Sequence, residues 1–178
     1  MAIARNGLIL ALASLLSTSC GYALAGRGSF LPAYIRVVGI PPLENRTQYQ
    51  RVEQVLTDKV RTEFINRGKY SVIATTGGAD AVLSGAITSI VVTPAGINTQ
   101  QLASRYLFTV TMRVQFTDSR TSEILWSNDA LAFREEYDLS KPGVDVQAAA
   151  FIEQEGPAFE RISTDLARTV VSAILEAF

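Results

Sequence analysis

Histidine is absent from the 178 residues, and cysteine and tryptophan occur once each. Without histidine there is no Ser-His-Asp or Cys-His nucleophile system and no histidine-bearing zinc site. A single thiol, Cys20, excludes thiolate metal clusters and an internal disulfide. Charge is sparse and balanced: 16 basic against 17 acidic side chains give a formal net charge of −1. Nucleic-acid surfaces draw their affinity from clustered Lys and Arg that neutralise phosphates, so this balance argues against a nucleic-acid partner. Carboxylate catalysis is left open in principle, but Glu135 and Glu136 are adjacent on a strand-like stretch and point to opposite faces. They are read as solvated charges. No cofactor is implied: Gly77-Gly78 lies between two strand-like segments and opens no helix, so it lacks the context of a phosphate-cradling loop.

The apolar content, 48% of residues, is spread along the chain and begins with a leader. Arg5 and the amino terminus precede the uncharged run Leu8 to Leu16, which ends in small residues, the grammar of a signal peptide. The run falls well short of the roughly 20 residues a membrane-spanning helix needs. Cys20, directly behind it, has three readings. A catalytic thiol needs an activating base or cation, and the neighbourhood is rich in Gly and Ala. A core thiol must belong to the fold, and Cys20 lies well ahead of the first strand. A lipoprotein signal needs small uncharged residues before a cysteine, which Leu16-Ser-Thr-Ser19 supply.

The lipoprotein reading is preferred, giving residues 1–19 as signal peptide, 20–33 as a lipidated tether and 34–178 as one domain. Two or three acyl chains on Cys20 provide durable anchoring, at about 0.8 kcal/mol per buried methylene. Gly21 stands where an Asp would signal inner-membrane retention in lipoproteins of the enteric type, which favours the outer membrane.

Within the domain, "YIRVVGI" reads as a strand stopped by Pro41-Pro42. Apolar residues at 52, 55, 56, 60 and 64 then mark one face of an amphipathic helix, with Thr47 and Gln50 resembling a capping box and Gly68 a helix stop. Residues 70–75 form a short strand, and the strand-helix-strand order favours parallel pairing. After the turn at Thr76-Gly77-Gly78 comes a long strand expected to end at Pro94, followed by a loop over 94–104.

Tyr106, Phe108, Val110, Met112, Val114 and Phe116 alternate with a largely polar set from Arg105 to Thr117, the pattern of a strand with one buried face. "DSRTS" at 118–122 is a turn, so a hairpin leads to the strand "EILWSNDALAFREEY". There the apolar parity switches between Trp126 and Leu131, which predicts a bulge near Ser127-Asn128-Asp129. Phe159, Ile162, Leu166, Val170, Ile174 and Phe178 form the stripe of a C-terminal helix. Gly156-Pro157 breaks or begins it, and 145–155 is left as a separate helical piece.

Two striped helices and one-faced strands imply an α+β fold: a twisted mixed β-sheet of four to five strands with both amphipathic helices packed on one face. The other face carries Thr, Gln and Arg with little to cover it. Trp126 is read as core in preference to a ligand platform. Arg105, Arg113, Arg134 and Lys141 have a plain reading, solvated charges that discourage edge aggregation, and a functional one, contact with anionic groups.

The residues carry a resemblance. "CGYAL", "IRVVGIPPLENRT", "VEQVLTDKVRTEFINRG" and "ADAVLSGAI", with Tyr106, Leu125-Trp126, Tyr137 and the C-terminal helix, resemble the lipopolysaccharide-assembly lipoprotein family LptE across nearly the whole mature chain. The resemblance implies a non-enzymatic domain that plugs the lumen of an LptD-type outer-membrane β-barrel and helps deliver lipopolysaccharide to the outer leaflet. On charge alone, Arg105, Arg113 and Lys141 are candidates for lipopolysaccharide phosphate, and the loop from Pro94 to Ser104 for insertion into the barrel. The competing function is an outer-membrane lipoprotein regulator of a periplasmic cell-wall synthase. Such a protein needs a long reach, and the tether is short.

Overall fold

A computed structural model describes residues 31–67, 69–97, 103–138 and 156–177. Its elements run β1 (Val37–Gly39), β2 (Glu44–Asn45), α1 (Val52–Asn66), β3 (Ser71–Ile73), β4 (Ala81–Ile97), β5 (Ala103–Asp118), β6 (Ile124–Asp138) and α2 (Gly156–Leu175). The sheet is mixed and six-stranded, in the order β3-β1-β4-β5-β6 with β2 also on β4. It has one strand more than the upper count expected, the two-residue β2. β1 pairs in parallel with β3 and β4, as the strand-helix-strand order predicts, whereas β4-β5 and β5-β6 are antiparallel.

Alternation along β5 follows the sequence pattern: even-numbered residues from Tyr106 to Phe116 are buried, and the odd-numbered ones are exposed or half-buried. Both helices cover that even face. The ring of Phe159 from α2 meets Phe108 edge-on at 6.1 Å, and Phe64 from α1 stacks near Phe116 at 6.4 Å. Phe159, Ile162, Leu166, Val170 and Ile174 are buried as the stripe requires, and Ser163, Ala167 and Val171 broaden it. Phe178 and residues 145–155 lie outside the described residues. The helices are joined by Lys59–Glu160 at 2.5 Å and by Arg67 Nη2 donating to Ser172 Oγ at 2.7 Å.

The start of α1 differs from the expected capping box. Thr47 Oγ1 donates to Asn45 Oδ1 at 2.8 Å and accepts from the Tyr49 amide at 3.2 Å, so it is committed before the helix begins. The helix starts at Val52 behind Arg51, which sits in left-handed conformation at φ 68° and offers no side-chain cap. Asn45 is the organiser: its amide nitrogen donates to Tyr49 O at 2.6 Å and to Glu53 Oε2 at 2.8 Å. Thr57, buried inside α1, accepts from the Leu43 amide at 3.0 Å, and Arg61 donates twice to Ile40 O, at 2.9 and 2.7 Å. These bonds fix the connection after β1 onto the helix. Gly68 lies outside the described residues.

The loop expected over 94–104 is corrected at both ends. β4 continues through Pro94 to Ile97, and β5 already begins at Ala103. Pro94 is opposite Tyr106, with a register shift between Pro94 and Gly96. Beyond Ile87, β5 is the only described strand paired with β4, and the second edge left open there tolerates a residue without an amide hydrogen. The bulge predicted in β6 is present. Met112 faces Leu131 and Val114 faces Asn128, so one extra β6 residue is inserted at Asp129-Ala130. A second shift, at Leu125, turns Ile124 outward to 54% exposure. Leu31, in the stretch expected to be tether, is buried with Ile35 in the core.

Candidate functional site

The face of β4-β5-β6 away from the helices is built by the odd-numbered residues of β5. Cross-strand rows set Val91, Thr109 and Arg134 side by side, then Ser89, Thr111 and Ala132, then Thr93, Leu107 and Glu136. It is a flat field of short hydroxyl and methyl groups bearing a few long cations. β-branched threonine suits such a half-exposed pleated surface.

Arg105 and Arg113 both project from this face, as their shared parity requires. Each is already engaged. Arg105 Nε lies 3.2 Å from Asp138 Oδ1 and its Nη1 3.4 Å from Glu136 Oε2. Its hydrogen bond to Asp138, with the nearby charges of Asp138 and Glu136, raises the guanidinium pKa. Arg113 Nε lies 3.1 Å from Asp129 Oδ1, and Asp129 sits in the β6 bulge. The Glu44 carboxyl, on β2, is lowered chiefly by its hydrogen bond from Arg46 and to a lesser degree by the charge of Arg113.

Eight residues of strand separate Arg105 from Arg113, roughly 27 Å at the usual rise, too far for one phosphate to touch both. Arg134, opposite Thr109 between them, forms no ion pair with any described residue. Lys141 lies outside the described residues, as does Cys20.

Trp126 faces Phe116 and is half-buried against the core, on the helix-covered side of the sheet. Glu135 and Glu136 take opposite faces, beside Phe108 and Leu107. Among the described residues no group of three His, Cys, Asp or Glu side chains is placed to hold a metal ion, and no helix is long and apolar enough to cross a membrane.

Sequence reasoning missed a polar cluster at the hairpin end of the sheet. Asp118 is 1% exposed; it accepts a hydrogen bond from the Tyr34 hydroxyl and others from the amides of Arg120 at 2.7 Å and Thr121 at 3.2 Å. The Tyr34 bond is the main cause lowering the Asp118 pKa, and the same bond is the main cause raising that of Tyr34. Arg120 lies 4.6 Å over the Tyr34 ring and reaches Asp80 at 3.4 Å, while Asp80 accepts from the amides of Arg36 and Val37, both at 3.0 Å. Every member is engaged by another or by a backbone amide, and the cluster ties the entering chain to the β5-β6 turn. The one sequence signal was Asp118 at the head of a Ser/Thr-rich turn, where its carboxylate binds amides two and three residues on.

Comparison with known proteins places this geometry. The family model "LptE: Lipopolysaccharide-assembly" matches residues 35–174. No curated protein matches the chain. Among solved structures, the dodecamer of a PelC variant from Paraburkholderia phytofirmans is similar at TM-score 0.51 and 14% identity, over 83% of this chain and 93% of that one. A Xanthomonas campestris protein gives TM-score 0.50 and 18% identity, over 79% and 83%. The rare lipoprotein B from Shewanella oneidensis gives 0.45 and 8%, over 78% and 93%. At these identities the first two show a shared fold.

Proposed function

The chain belongs to the LptE lipopolysaccharide-assembly family, and from that membership we propose that it is a lipoprotein acylated at Cys20 and held at the outer membrane. There its helix-on-sheet domain seats in the lumen of an LptD β-barrel and assists lipopolysaccharide into the outer leaflet. The observation that carries the plug reading is the face of β4-β5-β6 that no described element covers. The lumen of an outer-membrane barrel is polar, and a flat field of Thr, Ser and Gln, with Arg105 and Arg113 already paired to neighbouring carboxylates and Arg134 the one cation of the face without a described ion pair, meets such a wall with little buried charge left unpaired. Arg105, Arg113, Arg134 and Lys141 are the groups offered to lipopolysaccharide phosphates, and Arg134 needs no internal ion pair displaced to act.

Purification of the chain from detergent-solubilised outer membranes tests this reading. Stoichiometric recovery of a large β-barrel protein is expected, with loss of membrane fractionation in a Cys20→Ala chain. Recovery of a cell-wall synthase and no barrel would replace the plug with the regulator reading.

A further inference from the structure

A concavity of about 620 Å³ opens between the segment entering β1 and the start of β3, far along the sheet order from the open face. Leu31 and Ile35, 5% and 3% exposed, contribute an apolar floor. Arg36 and Lys69, both exposed, are its charged members, and Ser71 N donating to Arg36 O at 2.8 Å holds the two lining segments together. Among the described residues no carboxylate lines it. Asp80, bonded to the Arg36 amide, spends its charge on that amide, on the Val37 amide and on Arg120. The Arg36 guanidinium has no hydrogen bond or ion pair with any described residue. Tyr70 also lines the cavity, and its buried hydroxyl, beside the Leu31 backbone, has no hydrogen-bond partner among the described residues.

A buried donor without a partner among the described residues is costly, and its presence beside two cations over an apolar floor describes a site for an amphipathic anion. We propose that this cavity takes the phosphate of an anionic glycerophospholipid from the leaflet that holds the N-terminal anchor, with the first acyl carbons against Leu31 and Ile35. Arg36 and Lys69 pair with the phosphate, and the Tyr70 hydroxyl donates to one of its oxygens. The choice of a membrane lipid rests on the anchor reading: from Cys20 to Leu31 the chain spans at most roughly 40 Å fully extended, so the cavity stays near the bilayer surface. The site would orient the domain on the membrane and is separate from the cargo face on β5.

The test uses the mature chain carrying Cys20→Ala, so that binding owes nothing to acylation, and flotation with phosphatidylcholine vesicles made with or without phosphatidylglycerol. The parent should prefer the anionic vesicles. Arg36→Gln with Lys69→Gln should weaken that binding about 30-fold, because each cation near an anionic surface contributes roughly 1 kcal/mol. Tyr70→Phe, which leaves the charge unchanged, should weaken it several-fold without lowering the melting temperature. Arg46→Gln with Arg168→Gln, which removes the same charge elsewhere, should leave it unchanged.

Equal binding to both vesicle types, an undiminished Arg36/Lys69 variant, or an equal loss in the Arg46/Arg168 control would each overturn the proposal. A parallel loss of lipopolysaccharide capture by the Arg36/Lys69 variant would also overturn it, by making the cavity part of the cargo site. Failure of acylation or of barrel recovery would appear only in the purification experiment, so the two readings fail separately.

Discussion

Tyr34 and Asp118, 84 residues apart, are joined by a hydrogen bond from the phenol to the carboxylate, which closes the hairpin end of the sheet over the entering chain. The bond holds the Asp118 carboxyl below its ordinary range and pushes the Tyr34 phenol above its own. For the carboxylate, the stability so gained is complete above the unfolded value of about 3.9 and is lost as pH falls through the lower folded value. For the phenol it is complete below about 10 and is lost as pH rises through the raised folded value. Urea midpoints measured against pH should therefore show a flatter acid limb for Asp118→Asn and a flatter alkaline limb for Tyr34→Phe. An unchanged pH profile in both variants would remove the bond from the account of stability.

Arg105 and Arg113 are paired with β6 carboxylates, whereas Arg134 between them has no described ion partner. Arg105→Glu with Arg113→Glu should weaken lipopolysaccharide binding. Arg134→Gln alone should weaken it more than Arg105→Gln alone, because nothing internal competes for its charge. The paired side chains are exposed, so the single Gln variants should cost less than about 1 kcal/mol of stability, and calorimetric titration will report binding rather than unfolding.

Phe64 is fully buried, stacked near Phe116 at 6.4 Å and edge-on to Tyr70 at 6.3 Å. Removing its ring leaves a cavity between α1 and the sheet, so Phe64→Ala should cost about 3–5 kcal/mol in chemical denaturation. Its neighbour Ile65 is 55% exposed, and Ile65→Ala should stay within about 0.5 kcal/mol.

Gly85 lies where β4 passes under Leu43: a β-carbon there would stand 2.6 Å from Arg113 O and 3.3 Å from Leu43 Cδ2. The nearer contact is backbone of the paired strand and cannot swing aside. Gly85→Ala should therefore destabilise by about 1–3 kcal/mol, read as a lowered denaturant midpoint with an unchanged slope.

How much of this was legible from residue order follows the range of the forces involved. β5 and α2 were readable because each meets the core on one face only, and solvent on the other side imposes the period of 2 or 3.6 directly on the sequence. The β6 bulge was readable for the same reason: a switch in apolar parity has no other outcome in a strand that must keep one face inward. The capping box was misread because Thr47 was claimed by Asn45, a local competition that spacing alone does not resolve. Arg105 and Arg113 were correctly placed on one face, but their ion pairs were not foreseen, since those depend on the register of β6 against β5.

The sequence by itself determined the α+β class, the buried parity of β5, the helix faces and the lack of histidine-based chemistry, because periodicity and composition act locally. The proposed leader and the proposed lipidation of Cys20 rest on the sequence alone. Tertiary structure decided the continuation of β4 past Pro94, where β4 has lost its parallel partners among the described strands. It decided that Tyr34 would meet Asp118 and that Arg36, Lys69 and Tyr70 would share a cavity, since each joins residues that only the sheet order brings together.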